Sequence, residues 1–212
     1  MEARHSVTLR AIARLRTSVA MDGLQPDVAA PAQALASTPP LAFLTKLIGP
    51  EATAQEGWAV LAGAAGLTVL AAAAGATRAS GWSILQWVLA LGLAFDIGGG
   101  VVGSWTRSAA RWSHRSGQGR ARTLFYAGHL HPLALALLFA TPWAQAVGLY
   151  VGMLLAAAIV EVAPRAVARA VAVGVVALLL GVAGGFGWPA GLEWFVPAYL
   201  LKLVGHAVPP EA

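Results

Sequence analysis

Residues 81–103 read GWSILQWVLALGLAFDIGGGVVG, a run with a single ionisable side chain, Asp96. A helix needs ~20 apolar residues to cross a bilayer, and this run is long enough. Its apolar residues do not alternate with polar ones, so it reads as a membrane helix rather than a barrel strand. Five further stretches fit the same description: Gly57–Thr77, Thr123–Ala140, Trp143–Val162, Ala166–Gly185 and Pro189–His206. The last is the least apolar, since it holds Glu193, Pro197 and Lys202. The expected fold is an all-α, polytopic transmembrane bundle of six spans, with antiparallel neighbours joined by short connections.

Composition agrees with that reading. Of the 212 residues, 58% are hydrophobic and only 11% charged, against roughly 25% charge in a soluble domain. This excludes a disordered chain, an ordinary soluble enzyme and a nucleic-acid-binding partner. Cysteine is absent, which removes disulfides, iron–sulfur clusters and thiolate zinc sites. Lys and Arg number 14 against 9 Asp and Glu, and they are unevenly spread. When the connections are counted alternately, 13 basic residues fall on one side and only Arg78 on the other. Basic loops stay in the cytoplasm, so both termini are expected there. Trp58, Trp82, Trp105, Trp143 and Trp188 sit at span ends, where interfacial aromatics belong. A multi-pass protein of a bacterial plasma (inner) membrane is the expected setting, with anionic headgroups on the cytoplasmic side as partners.

The chain divides into a cytoplasmic N-terminal segment (1–56), a six-helix membrane domain (57–206) and a short tail (207–212). Ile12, Leu15 and Val19 share one helical face, with Arg10, Arg14 and Arg16 largely elsewhere. That stretch reads either as a basic amphipathic helix on anionic lipid or as sequence preceding a start at Met21. Asp22–Pro40 has linker composition, and Leu41–Ile48 reads as a short interfacial segment.

The ionisable residues inside the spans carry the functional expectations, because each costs ~2.5–3.5 kcal/mol to insert. Asp96 lies eight residues before Ser104, ~12 Å inside the boundary. On one continuous helix Gly99, Gly100, Gly103, Arg107 and His114 return near its azimuth, giving a narrow cleft below a basic rim. His129 and His131 enter from the same side at similar depth. Residues two apart point ~200° away from each other on a regular helix. Pro132 is expected to break the helix around Gly128–Pro132, which would turn both imidazoles inward. Asp96, His129 and His131 are therefore the catalytic candidates. As two imidazoles and a carboxylate they are also a ligand set for a divalent transition metal. Arg107, Arg111, His114 and Arg115 are the candidates for holding a substrate headgroup. Glu161 stays open: it lies i, i+4 from Arg165, but Pro164 interrupts the helix between them. Lys202 and His206, also i, i+4, share a face, with snorkelling as the plain reading of Lys202, and Glu193 is expected to serve a structural role at a helix start.

Motifs do not select an activity. There is no Gly-x-Ser-x-Gly elbow, no phosphate-loop lysine and no His-Glu-x-x-His. Three functions stay open. One is a non-catalytic bundle or assembly subunit, packed as a homo-oligomer or against a membrane partner, whose Asp/His cluster serves packing. The second is a metal-dependent or acid–base enzyme acting on a lipid. The third is a transporter of a small ligand, ion or proton.

Overall fold

The computed structural model describes residues 39–79 and 81–210. The N-terminal amphipathic stretch and nearly all of the Asp22–Pro40 linker lie outside the described residues. The fold is all-α. A 3-10 turn (Pro39–Leu44) runs into α1 (Thr45–Ile48). Then follow α2 (Ala54–Arg78), α3 (Ile84–Ser104), α4 (Arg107–Ser113), α5 (Gly119–Gly128), α6 (His131–Phe139), α7 (Trp143–Val162), α8 (Arg165–Gly184) and α9 (Phe195–Ala207). Among the described residues, α2, α3, α7 and α8 are long and apolar enough to cross a membrane. Val69, Leu85, Val88, Leu155, Val173 and Leu178 point outward on these helices, so they are apolar inside and out, as lipid-facing helices are.

The helix starts are written locally. Thr53 accepts from the Glu56 amide while the Glu56 carboxylate accepts from the Thr53 amide, a capping box that opens α2. Ser83 and Gln86 repeat the device at α3. Gln86 then donates to the Leu138 carbonyl at 2.7 Å, tying α3 to the end of α6. Helices α2 and α3 meet through glycine: a methyl group at Gly98 would lie 2.5 Å from the Gly63 carbonyl oxygen. Small residues let two backbones approach this closely.

Two expected spans take a different form. Thr123–Ala140 is split into α5 and α6 at His129–Leu130, and α6 begins with a proline in its first turn. A break in an apolar setting needs its freed backbone groups satisfied. Tyr199 donates to the His129 carbonyl at 2.8 Å and Tyr150 to the Ala127 carbonyl at 2.7 Å. The weakest apolar stretch yields α9, only 13 residues long, and it is the central helix rather than a peripheral one. Ten of its residues are buried, from Phe195 to Ala207, against α3, α7 and α8. A helix wrapped by other helices can carry polar groups that a lipid-facing helix cannot, which explains its low hydropathy.

The Leu41–Ile48 segment is half interior. Leu41, Leu44 and Ile48 are buried with Ala52, Val60 and Ala109, whereas Phe43 and Leu47 stay exposed. One side of a groove is thereby formed.

Candidate functional site

Asp96 and Lys202 form the centre of the site. The Lys202 ammonium donates to Asp96 Oδ2 at 2.6 Å, linking α3 to α9 across the bundle. The lysine side chain is 5% exposed and that of Asp96 is 53% exposed, so the cation is inside the bundle and the acid faces an opening. Gly100 makes this reach possible. Carbons of the Lys202 stem would lie 2.4–2.9 Å from any methyl added there. Lys202 does not snorkel, as the sequence suggested; burial in the central helix directs it inward to an acid.

The broken helix brings His131 to the same acid, with Nε2 3.8 Å from Asp96 Oδ2. His129 turns inward as well. Its Nδ1 lies 2.5 Å from the Phe125 carbonyl, and its ring packs edge-on to that of His131, with centroids 5.1 Å apart. Asp96, His129 and His131 do not assemble as a metal-binding set, and no group of three such side chains among the described residues does so. Lys202 donates to Asp96 Oδ2, and His129 Nδ1 is turned to the Phe125 carbonyl instead of toward the acid.

Asp96, His129 and Lys202 line an otherwise apolar groove of about 360 Å³, whose lining does not include His131. Phe43, Leu47, Val60, Leu61 and Phe95 line it, and Asp96, His129, Lys202 and His206 are its ionisable wall. His206 is one turn beyond Lys202 on the same face of α9, and its ring stacks on Phe125 with centroids 4.1 Å apart. The arrangement can hold an apolar chain along the walls and offer a carboxylate, an ammonium and imidazoles to a polar end.

A second ion pair lies between α5 and α7. Arg122 grips Glu161 with two parallel bonds, Nε–Oε1 at 2.7 Å and Nη2–Oε2 at 2.9 Å. Tyr126 donates to the same carboxylate at 2.9 Å. Glu161 therefore pairs with Arg122 and not with Arg165. Pro164 separates α7 from α8, so the i, i+4 geometry that the sequence spacing offered does not form. Glu193, by contrast, accepts from the Gly191 amide at 2.9 Å and pairs with Arg78 at 3.2 Å, a structural role at the opposite end of the chain's charge pattern.

The expected headgroup set divides. α3 ends at Ser104, and Thr106 starts α4 as its N-cap, accepting from the Ala109 amide. The stripe from Asp96 to Arg107 and His114 therefore does not continue along one helix. Arg107 and Arg111 line a separate polar pocket. Arg115 folds over Trp112, its guanidinium 3.3 Å from the ring centroid, and donates to the Trp112 carbonyl. His114 turns toward the Arg122–Glu161 pair. Burial and the nearby Arg122 charge hold its pKa below the ordinary histidine value. Its neutral form is thereby favoured, and stability linked to it falls as pH drops below the range where unfolded histidine is neutral.

Sequence reasoning missed Lys202 and Arg122 as the partners of Asp96 and Glu161. The available signal was the burial face of α9: Tyr199, Lys202, Leu203 and His206 share one helical side. Neither a known family, nor a characterised protein, nor a solved structure matches the chain. Fold and site together are consistent with a multi-span helical membrane protein that has a polar couple inside the bundle.

Proposed function

We propose that this protein crosses a plasma membrane six times, with both termini in the cytoplasm, and binds a lipid-like amphiphile in the groove beside Asp96 and Lys202. The polar end of the amphiphile meets Asp96, Lys202, His129 and His206, and acid–base chemistry on that end is the activity the residues suit. One observation carries this reading: the groove is lined mostly by apolar side chains, with Asp96, His129, Lys202 and His206 as its ionisable lining. A transport path would need polar groups along its length, and a packing-only cluster would leave no opening at the acid.

The topology rests on the four long helices, the α5–α6 tandem, α9 and the basic-residue asymmetry. Fusions of a reporter active only in the cytoplasm should be silent at Arg78, Pro142 and Trp188. They should be active at Gln118, Arg165 and Ala212. Activity at Pro142 would overturn the six-span arrangement.

For the groove, the full chain purified in mild detergent should retain an amphiphile detectable by native mass spectrometry. Leu47 lines the groove and is 65% exposed, so Leu47→Glu should leave the fold intact. A charge in an apolar wall is costly, so retention should fall by roughly tenfold or more. Unchanged retention in Leu47→Glu and in His206→Ala would place the bound molecule elsewhere and remove the proposal.

A further inference from the structure

Lysine is rare in this chain. Of the 14 basic side chains only Lys46 and Lys202 are lysine. Lys46 is exposed on α1, whereas Lys202 is buried in α9. Arginine is the better buried partner for a carboxylate, because its fork makes two parallel bonds and it is the more weakly hydrated cation. The chain uses it that way at Glu161, where Arg122 bonds both oxygens. Lys202 instead makes one bond, to Asp96 Oδ2 at 2.6 Å, and no other among the described residues. What lysine offers and arginine does not is an amine that gives up its proton and attacks with the nitrogen lone pair. A lysine set in an apolar pocket is the form in which that amine serves as a nucleophile, and Lys202 and Asp96 both line the largely apolar groove.

We propose that Lys202 condenses with the aldehyde end of a long-chain amphiphile bound in the groove, forming an imine whose counter-ion is Asp96. The inference rests on the amphiphile reading above and names the chemical class of the polar end. A carboxylic acid there would bring a second anion to Asp96, and an alcohol has no electrophilic carbon for the amine. The step needs no redox partner. Asp96 Oδ2 takes one proton from the ammonium, and the freed lone pair bonds to the carbonyl carbon while the C=O π pair moves to oxygen. A second nitrogen proton passes to that oxygen, giving the carbinolamine. Asp96 then returns its proton to the hydroxyl, the C–O bond breaks, and water leaves as the nitrogen lone pair closes the C=N bond. The third proton stays on nitrogen. The product is therefore a cation beside a carboxylate, as the ammonium was, so the arrangement that holds Lys202 charged also holds the imine.

The test uses the full chain in mild detergent, with dodecanal as the probe and dodecanol as an analogue that lacks the carbonyl. Native mass spectrometry should show an adduct with the mass of the aldehyde less one water. Borohydride then fixes the imine as a secondary amine, and peptide mass mapping locates it. At limiting aldehyde, Lys202 should carry roughly tenfold more label than the exposed Lys46, because a bound chain holds the carbonyl beside the amine. Lys202→Arg keeps a cation for Asp96 and should abolish the groove adduct. Leu47→Glu should lower labelling of Lys202 by the same factor by which it lowers dodecanol retention. Label on Lys46 alone, or equally on both lysines, would overturn the proposal, and this comparison within wild type holds even if Lys202→Arg does not fold. Retention of dodecanol without a dodecanal adduct on Lys202 would overturn the imine and leave the amphiphile groove standing. Absence of both would remove the two together.

Discussion

Lys202→Met is expected to cost about 3 kcal/mol of folding stability, the lower end of the range for breaking a buried ion pair. The variant keeps the length of the side chain over Gly100 but removes the donor to Asp96. What remains is a carboxylate with no ammonium at 2.6 Å and an imidazole at 3.8 Å as its nearest basic group. The lower end applies because the Asp96 side chain is 53% exposed to the groove and keeps part of its solvation there. The double variant Asp96→Leu/Lys202→Met should recover most of the loss, since replacing both charges leaves nothing unpaired. Asp96→Asn should fall between, because the amide oxygen still accepts from Lys202 but carries no charge. Reversible unfolding of the reconstituted full chain reads all three. A loss below ~0.5 kcal/mol in Lys202→Met would show that the pair contributes no more than a surface one, and would detach it from the site.

Gly98→Leu should prevent α2 and α3 from closing, with a cost at or above the upper end of the ~1–3 kcal/mol typical of overpacking. The obstacle is backbone rather than side chain: the new Cβ meets the Gly63 carbonyl oxygen at 2.5 Å and the Leu67 Cβ at 2.7 Å. Neither helix can move aside alone, because α3 is also fixed to α9 through Asp96 and Lys202. Even Gly98→Ala should destabilise. Gly92→Ala, on the same helix, would meet nothing within 4 Å and should be neutral or slightly stabilising, since alanine favours helix over glycine by ~1 kcal/mol. Thermal unfolding in detergent compares the three. Equal stability of Gly98→Leu and Gly92→Ala would mean that the α2–α3 contact is not close in solution. Of the glycines singled out by sequence, Gly99 and Gly103 behave more mildly, with a methyl lying 3.4 Å from Ala64 Cβ at the first and 3.2 Å from an Ile48 methyl at the second, whereas one at Gly100 would meet the flexible Lys202 stem at 2.4 Å. All four glycines fall within six residues, and composition alone does not distinguish the one that meets a carbonyl.

Much was determined by the sequence itself. Long apolar runs force helices because a backbone in hydrocarbon must bond to itself, so α2, α3, α7 and α8 were legible from length and hydropathy alone. Thr53–Glu56 and Ser83–Gln86 wrote their own helix starts through side chains three residues apart. Pro132 announced the break before α6, since a ring at that position removes a donor and disfavours helical geometry in the residue ahead. The tertiary structure decided everything that depends on which helix lies beside which. The least apolar stretch became the central helix, because wrapping by α3, α7 and α8 relieves it of facing lipid. Asp96 found Lys202, 106 positions away, and Glu161 found Arg122 instead of the nearer Arg165. Local periodicity fixes the direction of a side chain around its own axis; the partner that meets it is set by the packing of another axis, and no spacing within one segment encodes that.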